Sequence, residues 1–359
     1  MTHPYRGRPD YTYWKRAVAT PDLADLDPVV HAPFTINPAD AVATSGSCFA
    51  QHIARALQRQ GYNYQVTETA PEGVDAEAEN YGVFSARFGN VYTVRQLQQL
   101  LKRAYGVFCP QESAWETTPG VFVDPFRPNV SSTGWPSPEA VEAARETHFD
   151  AVRTMFETCD VFVFTLGLTE GWMRKSDGAV YPLAPGAVFD CKDEDYQFVN
   201  FSVAEMTTDL LAFIDDLRMV NPDVRVILTV SPVPLIATAE DNHVLVANTY
   251  SKSALRVVAD EVSRARDEVA YFPSYEIITG PPTASRYFAA DLRSVLDVGV
   301  AHVMSVFSKH FLNQNDVAQK KSTAVPPRAV AAERLRLAAL EFETVSNVVC
   351  DEEGLVDGD

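Results

Sequence analysis

Residues 41–62 read AVATSGSCFAQHIARALQRQGY. The apolar run at the start predicts a buried strand over 41–44, and the apolar spacing that follows predicts an amphipathic helix over 48–60. Gly61 is expected to end that helix in the left-handed conformation. A polar turn, Ser45-Gly46-Ser47-Cys48, therefore joins a strand to a helix, and such a unit is typical of the α/β class.

Apolar strands and amphipathic helices alternate along the rest of the chain. Continuous apolar runs predict strands over 160–172, broken at Gly167, and over 224–230 and 268–276. Periodicity and capping residues predict helices over 93–106, 137–159, 203–219, 244–266 and 297–308. This alternation predicts an α/β fold with a mostly parallel central sheet and helices on both faces. Ligands of such sheets bind at the carboxyl ends of the strands.

Segments rich in proline and glycine interrupt this pattern. Residues 107–136 and 173–199 are predicted to be irregular insertions into a core domain that spans 41–312. Residues 1–40 are predicted to form an N-terminal extension packed on the core. Residues 313–359 are predicted to add a peripheral helix and an acidic, solvated tail.

The charge balance limits the classes of partner. The formal net charge is −18 at pH 7, whereas nucleic acids and anionic membranes are bound by clustered Lys and Arg. The sequence has no apolar run of about 18 residues and no secretory signal at its start. We therefore expect no nucleic-acid partner, no membrane span and a cytoplasmic location. No feature of the sequence predicts an oligomeric state.

Cysteine usage and glycine motifs limit the cofactors. Five cysteines, Cys48, Cys109, Cys159, Cys191 and Cys350, are widely separated, without a CxxC or Cys/His cluster. We expect free thiols, as in a reducing compartment, and no metal. No glycine-rich phosphate-binding motif follows a predicted strand, so we expect no nucleotide and no other cofactor.

Two nucleophiles, Ser47 and Cys48, lie side by side at the strand-to-helix turn. Gly46 permits a sharp turn, and the N–H groups at the start of the helix can stabilise an oxyanion and activate a thiol. The alternative is that Ser47 only caps the helix and that Cys48 is a small buried residue. The local pattern allows both interpretations.

The stretch TSGSCFAQHIARAL resembles the defining motif of the GSCFA family, a bacterial group placed among the SGNH/GDSL-like hydrolases. Other stretches are similar to the family in the same order: FGNVYTVRQLQQL (88–100), TLGLTEGW (165–172), LTVSPVPLIAT (228–238) and YFPSYE (271–276). The resemblance implies a flavodoxin-like, three-layer SGNH-type fold with an ester-type active site.

The resemblance also implies roles for individual residues. The first SGNH block, Gly-Asp-Ser, places Cys48 at the nucleophile position and Ser47 at the aspartate position, so it favours Cys48. A thiolate is also the stronger nucleophile. The second block implies that the Gly89 N–H, with Asn90 beside it, donates to the oxyanion. Alternatively, Gly89 only forms the turn before the helix at 93–106.

The third SGNH block, Gly-x-Asn-Asp, falls on Gly167-Leu168-Thr169-Glu170. Thr169 replaces the asparagine whose amide would donate to the oxyanion, and a hydroxyl can also donate. Glu170 and Trp172 are expected to line the substrate pocket, although Trp172 can instead simply cover the sheet.

The last block departs from the family pattern. Asp-x-x-His falls on Asp291-Leu292-Arg293-Ser294, so Ser294 stands where the base histidine belongs. The ordinary triad is therefore incomplete. We predict that His243, in the loop after the strand at 224–230, is the base, and that Asp291 with Arg293 shapes or charges the pocket. His52, one turn after Cys48, is a further candidate, whereas His302 is expected to be packed within a helix.

These residues favour an acyl hydrolase or acyltransferase that acts through a covalent acyl intermediate on a small-molecule or glycan ester or thioester. The insertions at 107–136 and 173–199 are expected to form walls of the substrate site. The alternative is a non-catalytic SGNH-like binding module that has lost the base histidine. Glycosidase chemistry is also open, because Glu170, Glu276 and Asp291 all follow predicted strands.

Overall fold

The computed structural model describes residues 3–313, except for the side chain of Asp193. The described chain forms two compact units. The larger unit comprises residues 39–271, and the smaller unit comprises residues 3–38 together with 272–313. Within this part of the chain, no helix is long and apolar enough to cross a membrane. The predicted C-terminal helix and acidic tail lie outside the described residues.

Strands occur only in the larger unit of the described chain. They are β1 (Val42–Gly46), β2 (Trp115–Thr118), β3 (Val121–Val123), β4 (Val161–Leu166), β5 (Glu170–Arg174), β6 (Val180–Tyr181), β7 (Tyr196–Asn200), β8 (Arg225–Val230) and β9 (Val269–Tyr271). Four of them form a parallel sheet in the order β1-β4-β8-β9. In its register, Val42 lies opposite Val161, and Val161 lies opposite Arg225. The predicted parallel α/β sheet is confirmed.

All α-helices of the described chain except α6 lie close to their predicted positions, and α6 was not predicted. They are α1 (Ala50–Gln60), α2 (Val94–Ala104), α3 (Pro138–Thr158), α4 (Val203–Val220), α5 (Val244–Ala265), α6 (Ser274–Thr279) and α7 (Asp297–Phe311). Thr93 and Ser202 form capping boxes, and the Ser137 side chain caps α3. Gly61 ends α1 with φ +78°, as predicted.

Helices cover the central sheet because their apolar faces need a partner. Helix α1 packs on β1 and β4, and α5 packs on β8 and β9. Every residue of β1 and β4 is buried, as the continuous apolar runs of these strands require. Because β1, β4 and β8 are parallel, their carboxyl ends lie at one edge of the sheet, where polar loops follow them.

The two predicted insertions contain regular structure that the sequence did not reveal. Strands β2 and β3 form an antiparallel hairpin, and β5 is flanked by β6 and β7 in an antiparallel sheet. Trp115 of the first insertion packs against Tyr181 of the second, with ring centroids 4.8 Å apart and an interplanar angle of 54°. These strands are only two to five residues long, so local periodicity does not report them.

Two predicted strands are shorter than expected. The apolar run at 160–172 divides at Gly167, because β4 ends at Leu166 and β5 belongs to the antiparallel sheet. The run at 268–276 forms β9 only as far as Tyr271, and α6 begins at Ser274. Pro273 explains this correction, since proline has no N–H for a strand ladder but fits the start of a helix.

The smaller unit contains α6 and α7 and several short turns. His302 lies inside α7, where its Nδ1 is 2.7 Å from the Tyr287 hydroxyl and its Nε2 is 2.8 Å from the Leu26 carbonyl oxygen. The expectation that His302 is packed within a helix is confirmed.

Candidate active site

Three loops meet at the carboxyl ends of β1 and β4. They are residues 46–48, 89–92 and 167–169. Four backbone hydrogen bonds connect them: Ser47 N to Thr165 O at 3.1 Å, Val91 N to Gly46 O at 2.9 Å, and Gly167 N and Leu168 N to Tyr92 O at 3.1 and 3.0 Å. The structure thus brings together three of the four sequence blocks that were assigned to one site.

Two glycines allow these loops to approach so closely. Gly46 has φ +135°, and a Cβ at this position would lie 2.4 Å from Thr165 O. A Cβ at Gly167 would lie 2.9 Å from the Cβ of Ser47. The turn that carries the nucleophiles therefore contacts the end of β4 directly, and any larger residue would separate the loops.

Ser47 and Cys48 are both 3% exposed. Helix α1 begins at Ala50 without a side-chain cap, and among the described residues the Ser47 Oγ has no hydrogen-bond partner. The interpretation of Ser47 as a capping hydroxyl is therefore wrong, because only its backbone oxygen accepts a bond, from Ala50 N at 2.9 Å. A buried hydroxyl without a partner is uncommon in native structures and marks a place for a ligand or water.

The predicted oxyanion donors differ in their availability. Thr169 is fully buried, and its N–H donates to the Ser251 Oγ at 3.2 Å, but its own Oγ1 has no partner among residues 3–313. The Gly89 N–H also makes no hydrogen bond to any described residue, and Gly89 has φ +71°. By contrast, the Gly167 N–H is occupied by Tyr92 O. The Thr169 hydroxyl and the Gly89 N–H thus have no acceptor among the described residues, and the hydroxyl is buried.

Helix α5 holds the third loop through two residues that the sequence analysis missed. Lys252 is 1% exposed, and its Nζ donates to the carbonyl oxygen of Gly167 at 2.7 Å. Its neighbour Ser251 accepts the bond from Thr169 N. One feature of the sequence could have pointed to Lys252. It lies on the same face of the predicted helix as Leu255 and Ala259, where an apolar residue is expected.

His243 occupies the N-cap of α5 and is exposed. Its Nδ1 accepts a hydrogen bond from Leu245 N at 3.1 Å, so in the neutral ring the proton is on Nε2. A base function would require the ring to release this cap. Along the helix axis, His243 lies about 12 Å before Ser251, at about 1.5 Å per residue.

His52 is buried on α1 and lies edge-on to Phe49, with ring centroids 5.1 Å apart. Burial lowers the pKa of His52 to about 4, and repulsion from Arg55 and Arg59 adds to this effect. The imidazole is therefore neutral at pH 7, in the protonation state that a base needs, although strongly desolvated.

The residues of the last block lie in the smaller unit. Asp291 accepts hydrogen bonds from Ser294 Oγ at 2.5 Å and from the backbone N–H groups of Arg293 and Ser294, each at 3.0 Å. Burial opposes the ionisation of Asp291, but these bonds outweigh it and lower its pKa. Ser294, which occupies the position of the family histidine, is thus bonded to the adjacent aspartate.

The other carboxylates do not all follow strands. Glu170 is the first residue of β5 and accepts hydrogen bonds from Thr238 Oγ1 at 2.8 Å and Ala239 N at 3.4 Å, while burial raises its pKa. Glu276 lies in the first turn of α6 rather than at a strand end.

Trp172 in β5 lies edge-on to Phe198 of β7, so its ring contacts the small sheet. Asn90 is buried beside Gly89.

Both the sequence and the fold can be compared with those of known proteins. Residues 41–307 match the sequence profile of the GSCFA family. No curated protein matches this chain. Among solved structures, a similar one is a carbohydrate esterase family 2 enzyme plus carbohydrate binding domain from Corynascus thermopiles (Myceliophthora fergusii), with a TM-score of 0.27, 13% identity, and coverage of 80% of this chain and 68% of that chain. At this level, the structural similarity adds nothing to the assignment.

Proposed function

We propose, from the premise that this chain belongs to the GSCFA family, that it is an acyl hydrolase or acyltransferase that forms a covalent acyl intermediate. One observation carries the proposal. Three loops, joined by backbone hydrogen bonds, hold two adjacent nucleophiles together with two donors, the Thr169 hydroxyl and the Gly89 N–H, that have no acceptor among the described residues. Acyl transfer needs this combination of a nucleophile and waiting oxyanion donors.

The reaction proceeds in two steps. The Cys48 thiolate attacks the carbonyl carbon of an ester or thioester, and a C–S bond forms while the carbonyl oxygen becomes an oxyanion. Collapse of this intermediate breaks the bond to the leaving alkoxide or thiolate, which takes up the proton that the base removed from the Cys48 thiol. Water or an acceptor alcohol then attacks the acyl-enzyme, loses its proton and restores the thiolate. Ser47 is the second candidate for the nucleophile.

The oxyanion is stabilised by donors that are fixed before the substrate arrives. The Thr169 hydroxyl and the Gly89 N–H supply hydrogen bonds. Lys252 contributes by holding the Gly167 carbonyl, and Ser251 by holding the Thr169 N–H. Neither side chain of α5 has to touch the substrate, so both are positioning residues.

The base remains the prediction made from the sequence, His243. Its cap geometry sets a requirement, because Nδ1 can accept a proton only after it releases Leu245 N. Thiol chemistry relaxes this requirement, since a thiol loses its proton more readily than a hydroxyl does. This is a further reason to favour Cys48 over Ser47.

The substrate in this proposal is a small-molecule or glycan ester. Strand β5 begins at Glu170, one residue after Thr169, so the antiparallel sheet of the second insertion is attached directly to the site. The contact between the aromatic rings of Trp115 and Tyr181 joins the two insertions into one packed body. They are suited to form a fixed wall beside the acyl group rather than a mobile lid.

Brief exposure to p-nitrophenyl acetate, followed by peptide mass mapping, tests the proposal. Wild type, Cys48→Ala and Ser47→Ala are compared. The expected result is one acetyl group on Cys48 that is lost on hydroxylamine treatment. An acetyl group on Ser47 would also support acyl transfer, but it would identify Ser47 rather than Cys48 as the nucleophile.

Two other cysteines serve as internal controls. Cys109 is an exposed free thiol and reports non-specific acetylation. Cys159 is buried, and burial raises its pKa to about 12, so it should stay unlabelled. Labelling of Cys48 no faster than that of Cys109, in a folded protein, contradicts the acyl-transfer proposal.

A non-catalytic binding module is the second candidate function. The observation in its favour is Ser294, which stands in the position of the family's base histidine and is bonded to Asp291 at 2.5 Å. An absence of labelling at both Ser47 and Cys48, together with unchanged folding, favours this module.

A further inference from the structure

A cleft of about 530 Å³ lies between the carboxyl end of α2 and one face of α3. Its walls include Arg103, Phe108, Phe126, Arg145, Phe149 and Arg153. None of these residues belongs to the loops of the candidate active site. Arg103 and Phe126 also line a small cavity of about 20 Å³ together with Asn90 and Val91 of the loop at 89–92. The cleft therefore neighbours that loop, and its volume is in the range of small-molecule sites.

Arg103 has an unusual environment in this cleft. The side chain is 7% exposed, and its guanidinium carbon lies 3.5 Å from the ring centroid of Phe126 and 5.3 Å from that of Phe149. The guanidinium makes no hydrogen bond to any described residue. It carries five N–H donors, and a buried charge without an acceptor is costly.

The charge of Arg103 persists at neutral pH. Burial lowers its pKa to about 9, and repulsion from Arg145 and Arg127 adds to this effect against the attraction of Asp124. A pKa of about 9 still leaves the guanidinium protonated at pH 7. The structure therefore keeps a desolvated cation in place.

The neighbouring acids are occupied by other arginines. Asp124 accepts hydrogen bonds from Arg127 Nε at 3.1 Å and Arg145 Nε at 3.2 Å. Glu68 lies 3.5 Å from Arg127 and 2.6 Å from His148. Asp124 thus pairs with Arg127 and Arg145, and Glu68 pairs with Arg127. Neither carboxylate bonds to Arg103.

Arg103 is the arginine of this buried cluster that bonds to no acid. Burial and Arg127 lower the pKa of His148 to about 4, so His148 is neutral at pH 7. Arg127 and Arg145 bond to the two buried carboxylates, Asp124 and Glu68. Arg103 has no hydrogen-bonded acceptor among the described residues, although acids as well as arginines line the cleft.

The other charged groups around the cleft are bonded or exposed. Arg153 donates to Ala104 O and to Asp150. Glu112 accepts from the hydroxyls of Tyr181 and Tyr196 at 2.7 and 2.5 Å. Two exposed acids, Glu142 and Glu146, also line the cleft. These acids oppose a ligand with more than one negative charge.

We propose that this cleft binds a small monocarboxylate with an apolar body, whose carboxylate accepts hydrogen bonds from Arg103. A guanidinium matches a carboxylate in a bidentate geometry. A single carboxylate matches the one guanidinium that has no hydrogen-bonded acceptor, whereas Glu142 and Glu146 repel a phosphate dianion more strongly. Phe108, Phe126 and Phe149 provide aromatic surface for the apolar body. This inference does not depend on the acyl-transfer proposal.

Titration calorimetry on the full chain tests the binding. Benzoate is the probe, and benzamide is its neutral control of matched shape. Wild type should bind benzoate and show no heat with benzamide or inorganic phosphate. Arg103→Met should weaken benzoate binding by about 30-fold or more, the loss expected when one partner of a buried charge pair is removed. Binding of benzamide as tight as that of benzoate overturns the proposal, as does an absence of benzoate binding.

Thermal unfolding without ligand separates a binding role from a structural one. Because Arg103 has no hydrogen bond to lose, Arg103→Met should keep or raise the melting temperature. Arg127→Met is the control that should lower it, since Arg127 bonds to Asp124, Glu68 and two backbone carbonyls. If Arg103→Met is as destabilising as Arg127→Met, Arg103 is structural and the proposal fails. If a variant does not fold, the comparison of benzoate with benzamide in the wild-type protein still tests the proposal.

Discussion

The buried ammonium of Lys252 donates a hydrogen bond to the carbonyl oxygen of Gly167 at 2.7 Å. Gly167 in turn fits against Ser47, because a Cβ on this glycine would lie 2.9 Å from the serine Cβ. A lysine on α5 is thereby connected through one glycine to the turn that carries the nucleophiles. The position of the loop at 167–169 therefore depends on a lysine that is almost completely removed from water.

Replacement of Lys252 by Met should move this loop and lower acyl turnover. We expect kcat for p-nitrophenyl acetate to fall by about 100-fold, as for loss of an oxyanion donor, with a smaller change in KM. The buried Gly167 carbonyl also loses its donor, at a cost of about 1–3 kcal/mol in the free energy of unfolding. Steady-state kinetics and urea unfolding measure the two effects.

Arg264→Met is the matched control on the same helix. Its side chain is 78% exposed and pairs with Asp260, so both kinetics and stability should stay close to wild type. Wild-type turnover in Lys252→Met would show that the contact with Gly167 has no role in catalysis.

Thr169→Val should separate catalysis from stability. The substitution keeps the shape of the side chain and removes a fully buried hydroxyl that has no partner among the described residues. We expect the free energy of unfolding to stay constant or rise, because no hydrogen bond is broken. Turnover should fall by about 100-fold if this hydroxyl donates to the oxyanion.

A bonded hydroxyl provides the comparison for Thr169. Thr44 is also fully buried, and its Oγ1 lies 3.3 Å from the Tyr64 hydroxyl. Thr44→Val should therefore destabilise the protein by about 1 kcal/mol and leave the chemistry intact. Equal turnover in Thr169→Val and wild type would remove Thr169 from the oxyanion site.

His243→Asn tests the predicted base without disturbing the helix. Asparagine is a favourable N-cap, so it can accept the N–H bond that His243 now takes from Leu245. We expect an unchanged melting temperature and, if the imidazole is the base, loss of turnover. A pH–rate profile of the variant that overlays the wild-type profile would exclude His243.

Acid should destabilise the protein through its buried histidines. Burial lowers the pKa of both His52 and His148 to about 4 from an ordinary 6.5. The folded state then binds fewer protons than the unfolded state between these values. The contribution of each histidine is complete above pH 6.5 and is lost as the pH falls toward 4. Urea unfolding across this range should show a steep fall in stability.

His148→Gln isolates one of these two groups. Glutamine can still donate to Glu68, which lies 2.6 Å from the His148 ring, but it does not titrate. The slope of stability against pH should decrease by about half, since one of two similar groups is removed. Identical slopes in the two proteins would mean that His148 is not the titrating group. Glu68, with a pKa lowered to about 2, affects both proteins only at more acidic pH.

Most elements of the fold follow from local signals in the chain. Helix α3 begins where Ser137 and Pro138 predict a start, and α1 ends at Gly61. The strands of the insertions carry no such signal, because they are too short to show a period. Pro273 shows how one residue can end a strand that the apolar pattern predicts. The predicted strand ran to residue 276, but β9 ends at Tyr271 and α6 begins at Ser274.

The candidate site was predictable in outline only. The turn at Ser47 and Cys48, the Gly89 loop and the Thr169 loop could be assigned from the motif and its register. Their convergence could not be derived from periodicity, nor could the contact of Lys252 with a carbonyl 85 residues away. The structure also showed that the Ser47 hydroxyl does not cap α1.

The sequence by itself determined the α/β class, the helix boundaries and the adjacent nucleophiles, because periodicity, caps and motifs act within a few residues. Only the tertiary structure decided which hydroxyls lack partners and which buried charges are compensated. Those properties depend on neighbours distant in the chain. Thr169 takes its N–H partner from α5, and Arg103 is left without an acceptor because Asp124 is shared by Arg127 and Arg145.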